Sequence, residues 1–92
     1  MKSLYRVISI SQEEKVYVSY IVIEDVDKIV KEYRSNGHNP RCIQYCKQVS
    51  NEEPIGIVDS FFEFLANNWK VYTKIKMKKS LKYWNVVTIE EE

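Results

Sequence analysis

The sequence contains one alanine, Ala66, one histidine, two glycines and two prolines in 92 residues. With only Gly37 and Gly56 available there is no G-x-G-x-x-G or P-loop, and a phosphate cradle of close-packed backbone amides has nothing to be built from. The scarcity of Pro and Gly, with 45% hydrophobic and 29% charged residues, also excludes a low-complexity or disordered chain. Long apolar runs are missing as well. None reaches the length of a membrane span, and the opening MKSLYRVISIS is interrupted by Arg6, so it lacks the apolar core of a signal peptide. The expected setting is the cytoplasm, and the length implies one domain over residues 1–92 with a thin core.

Metal and catalytic chemistry is equally sparse. His38, Cys42 and Cys46 form H-x3-C-x3-C, but residues 41 to 49 read as an extended strand, which spreads these ligands apart. At about 3.3 Å per residue the two cysteines sit roughly 13 Å apart. A disulfide spans no more than about 7 Å, so both are expected to be free thiols. The carboxylate pairs Glu13-Glu14, Glu24-Asp25 and Glu52-Glu53 fall in turns and at helix starts, where acids are ordinarily solvated. Nothing orients a Cys-His pair or supplies an oxyanion hole. The expectation is a protein that is not an enzyme and carries no cofactor or metal.

What is present is a set of clear periodicities. Leu4 to Ile10 and Lys15 to Ile23 are rich in β-branched residues and flank the polar turn SQEE, which predicts a hairpin. The second strand is apolar on both faces and is expected to lie inside the sheet. From Glu24 the period changes: Val26, Ile29, Val30 and Tyr33 share one helical face, Asp25 and Asp27 occupy the first turn, and Asn36-Gly37 terminates the helix. RCIQYCKQV, residues 41 to 49, reads as a third strand reached by a crossover. Val58, Phe61, Phe62, Leu65 and Trp69 then suggest a second helix centred on residues 59 to 68, ended by Asn67 and Asn68. Phe64 lies off that stripe and is expected to face solvent. Residues 70 to 89 read as a closing hairpin. The fold expected is α+β: a single sheet of about five mainly antiparallel strands, β-β-α-β-α-β-β, with two helices packed on one face.

The stretch KVYTKIKMKKSLKYW, residues 70 to 84, carries six lysines and no acid in a chain whose net charge is only +1. Read as a strand, it puts Val71, Thr73, Ile75 and Met77 on one side, with Lys70, Tyr72, Lys74, Lys76 and Lys78 on the other. A three-residue loop brings Leu81, Tyr83, Val87 and Ile89 back beside the apolar set and leaves Lys82 and Trp84 among the lysines. The predicted contact surface is thus Lys70, Tyr72, Lys74, Lys76, Lys78, Lys82 and Trp84. Lysines on an edge strand also serve simply to discourage aggregation.

A flat basic face carrying aromatic rings suits an acidic protein surface, or single-stranded nucleic acid through stacking and phosphate contacts. The near-neutral chain and the small number of arginines (Arg6, Arg34 and Arg41) argue against a dedicated or base-specific nucleic-acid binder. In texture, short, Ala-poor and rich in Lys and Tyr, the chain resembles small accessory proteins of bacterial and archaeal viruses. That resemblance implies a non-catalytic binding protein of viral or mobile-element origin that occupies a surface of a larger host protein, for example to inhibit a defence system. The expected partner is a larger intracellular protein or nucleoprotein with an acidic surface. Weakly specific nucleic-acid binding is the alternative, no membrane is involved, and an unpaired edge strand is compatible with a homodimer.

Overall fold

A computed structural model of the chain describes residues 1–58, 62–75 and 86–88. Strands β1 (Lys2–Ser11) and β2 (Val16–Ile23) form the expected hairpin, with Val7 opposite Ser19 and Ile8 opposite Val18. The SQEE turn closes through Ser11 N–H donating to Lys15 O at 2.8 Å and Glu14 N–H donating to Ser11 O at 2.9 Å. A single turn of 3-10 helix, Val26–Lys28, leads into α1 (Ile29–Ser35), and the Asp25 carboxylate accepts from Asp27 N–H at 3.0 Å to cap it. The helix stops where Gly37 adopts φ 78°, a left-handed conformation open to glycine at little steric cost.

Strand β3 (His38–Val49) returns antiparallel to β1, so β2 and β3 run parallel to each other on either side of it. Strands β4 (Gly56–Ile57) and β5 (Glu63–Ala66) pair with the outer edge of β2, and β6 (Val86–Thr88) pairs with the outer edge of β3. Every pairing is antiparallel, and the order across the sheet is β4 and β5, then β2, β1, β3 and β6. This is the expected α+β class. The loop between β3 and β4 is tied down by the Lys2 ammonium, which donates to Asn51 O at 2.7 Å and Glu53 O at 2.8 Å.

Two elements depart from the sequence reading. Residues 63 to 66, placed in a helix by the apolar stripe, form β5, and residues 70 to 75, read as the start of a strand, lie in helix α2 (Trp69–Ile75). Asn68 accounts for the second change: its side-chain oxygen accepts from Val71 N–H at 2.9 Å, so it caps a helix that starts after it instead of ending one before it. Trp69 and Tyr72, three apart, then point the same way, their ring centroids 5.6 Å apart.

The helices also cover opposite faces of the sheet, not one. Val7, Ile21, Ile23 and Ile43 pack against Ile29 and Tyr33 of α1. Ile8, Val16, Val18 and Cys42, which alternation turns to the other side, pack against Tyr72, with Trp69, Leu65 and Ala66 at the margin. Strands apolar on both faces need a cover on each, and α2 supplies the second. Among the described residues no helix is long and apolar enough to cross a membrane.

Candidate functional site

The face under α1 is only partly covered by it. A helix of 7 residues spans roughly 10 Å, whereas the 10 residues of β1 extend for about 33 Å. Beyond Gly37, toward the β1–β2 turn, aromatic side chains take over from the helix: Tyr17 from β2, His38 from the first position of β3, and Phe62 from just before β5. His38 and Phe62 stack at 4.1 Å and 17°. Tyr17 stands nearly perpendicular to both, 5.3 Å from His38 and 6.5 Å from Phe62. These three separations make roughly a right angle at His38, so Tyr17 lies beside the stacked pair instead of continuing the stack. Phe64 adds a fourth ring, 5.8 Å from Tyr17, and is 51% exposed.

The rings border a recess of about 460 Å³ lined by Ser11, Gln12, Glu13, Tyr17, Asn36, Gly37, His38 and Phe62. A second recess of about 380 Å³ shares Ser11, Gln12, Gly37 and His38 and adds Glu14 and Arg34. Among the described residues Glu13 is the sole formally charged side chain lining the first, and its carboxylate lies 3.4 Å from the Lys15 ammonium on the exposed turn.

Deeper in the same face, Tyr33 is fully buried and its hydroxyl shares a 2.6 Å hydrogen bond with Ser19 Oγ. Burial pushes the Tyr33 phenol up to about 12, and the bond to Ser19 offsets this only in part. Ser19→Ala leaves that hydroxyl without its partner and is expected to cost about 1 to 3 kcal/mol in urea unfolding. A change below a few tenths would show that the bond contributes nothing.

His38 Nδ1 lies 3.2 Å from Ser9 Oγ. Ser9 is fully buried, so its hydroxyl orients the imidazole and is not placed to attack a substrate. Partial burial holds the His38 pKa below its ordinary value of 6.5, favouring the neutral ring. The folded state then binds fewer protons than the unfolded state, so this contribution to stability is complete above pH 6.5 and declines as pH falls toward the folded pKa. Between about pH 7.5 and pH 5 the urea midpoint of the wild type should fall further than that of His38→Phe, which keeps a stacked ring but cannot titrate. Parallel curves would contradict this.

The residues singled out from the sequence are placed differently. Lys70 is exposed on α2, but Tyr72, expected to point outward beside it, is 2% exposed, and Val71, expected inward, is 46% exposed. The helical backbone of α2 removes the two-residue alternation on which the basic face rested, through Lys74 and Ile75. Lys76, Lys78, Lys82 and Trp84 lie outside the described residues. A cation-π contact is present at the start of α2, where the Arg41 guanidinium sits 5.3 Å above the Trp69 ring.

His38 and Cys42 do not converge, because His38 joins the aromatic group under Phe62 while Cys42 packs beneath Tyr72 on the opposite face. Both cysteines are free, and burial pushes the Cys42 thiol up to about 11 and raises that of Cys46. Among the described residues no three His, Cys, Asp or Glu side chains gather to hold a metal ion. No protein-family model, curated protein or solved structure matches the chain.

Proposed function

We propose that this chain is a small non-catalytic binding protein that acts by occupying a surface of a larger protein, with Phe64 and Tyr17 at the centre of the contact. The observation that carries the reading is the exposure of Phe64 on the outermost described strand, opposite Tyr17 in the β2–β5 register and in ring contact with it. Ile55 and Val58, 56% and 37% exposed, lie farther along the same edge around β4. Aromatic anchors of this kind dominate the energetics of interfaces. A viral or mobile-element origin, with inhibition of a host defence system as the biological form, is part of the proposal and is supported by the Ala-poor, Lys- and Tyr-rich texture of the chain.

Affinity purification from a host lysate with wild type and Phe64→Ser as paired baits tests the reading. The expected result is a protein retained by the wild type and lost from the variant, with unchanged circular dichroism. Equal retention by both, or retention by neither, would remove its basis. The lysine-rich segment supplies a second contact in this proposal, directed at acidic groups on the partner. Direct nucleic-acid binding is separated from it by salt titration, since neutralising Z phosphates on a single strand gives a log-log slope of about −0.7Z.

A further inference from the structure

The recess beside Phe64 differs in chemistry from a plain apolar groove. Its walls are three rings in two perpendicular orientations, with His38 and Phe62 nearly parallel and Tyr17 across their side. Among the described residues its one formal charge is the Glu13 carboxylate, and the remaining polar lining, from Ser11, Gln12 and Asn36, is neutral. At about 460 Å³ it has room for one long side chain. Ring faces attract cations through their quadrupole, and groups of rings with an acid at the rim favour organic cations over neutral groups of equal size.

We propose that this recess takes a basic side chain, lysine or arginine, from the protein partner, with the Tyr17, Phe62 and His38 rings as its walls and Glu13 as its counter-charge. The inference rests on the protein-binding reading above and assigns the chemistry of one partner residue. Two further cations border the site. Lys15 holds Glu13 at 3.4 Å, but the pair is solvent-exposed and exchanges readily for an incoming cation. Arg34 lines the adjoining recess on the far side of Gly37 and His38, where Glu14 is also present.

N-acetyl-arginine amide, N-acetyl-lysine amide and the neutral arginine isostere N-acetyl-citrulline amide are the probes, titrated into the full chain and followed by NMR. A saturable shift of the His38 ring and Tyr17 signals by arginine or lysine is expected, with the citrulline compound at least about tenfold weaker. Whichever of the two cations saturates at the lower concentration identifies the side chain. Glu13→Gln should weaken the response about twofold to fivefold, and Tyr17→Leu, which keeps bulk but removes the ring, by about fivefold or more. Glu13 is on an exposed turn, so its variant folds whatever Tyr17→Leu does. No saturable shift, an equal response to citrulline, or an unchanged response in Glu13→Gln overturns the proposal. If the probes fail while the wild type still captures a partner that Phe64→Ser loses, the recess assignment falls and the protein-binding reading stands.

Discussion

Tyr72→Ala is expected to destabilise the chain by about 3 to 5 kcal/mol, the range for removing a large aromatic side chain from a packed core. Tyr72 is 2% exposed and closes the cluster of Ile8, Val16, Val18 and Cys42. Loss of its ring opens a cavity beneath α2 and removes the tilted ring contact with the neighbouring Trp69. A protein of this size holds only about 5 to 15 kcal/mol in total, so the variant should be partly unfolded at ambient temperature. Tyr72→Phe provides the control. The hydroxyl is buried with no hydrogen-bond partner among the described residues, so removing it is expected to be neutral or stabilising by up to about 1 kcal/mol. Urea midpoints of the three proteins decide the matter. On an outward-facing strand position Tyr72→Ala would change stability by less than about 0.5 kcal/mol, and that result would contradict the helix.

Tyr72 also marks where the sequence could be read and where it misled. The β1–β2 hairpin and α1 were readable because local signals agree there: SQEE between two β-branched runs, then Ile29 and Tyr33 four apart, then Asn36-Gly37. In residues 70 to 77 the signals conflict. VYTKIKM alternates by residue type as a strand does, whereas Asn68 followed by Trp69 and Tyr72 is the start of an amphipathic helix. A residue type that ends one helix also begins another, so the same Asn reads both ways. The stripe through Phe62 and Leu65 misled in the opposite sense, since strand pairing to β2 overrode it.

Phe64 was readable as a solvent-facing aromatic, although the reason differed: it faces outward from a sheet edge, not from the back of a helix. The recess was not readable at all. Tyr17, His38 and Phe62 are each about twenty residues from the next, and no local periodicity joins them. Only the uniqueness of His38, just after Gly37, set it apart in the sequence.

The second large effect concerns binding. Phe64→Ser should weaken the affinity for the captured partner by at least about thirtyfold, as for a central aromatic anchor worth about 2 kcal/mol or more. Because Phe64 is half exposed at an edge, its loss should leave the urea midpoint nearly unchanged, which separates a contact role from a folding role. Ile55→Ser, farther along the edge, should cost less than tenfold, as contacts around an anchor usually do. Equal losses at both positions would mean that the contact is not centred on Phe64.

Amide hydrogen exchange of the chain alone and with its captured partner tests the central claim most directly. The account predicts slower exchange in the complex at residues 11 to 17 and 62 to 66, the turn and edge strand that frame Phe64 and the recess. Unchanged exchange there, with protection confined to residues 76 to 85, would contradict it and return the contact to the lysine-rich segment.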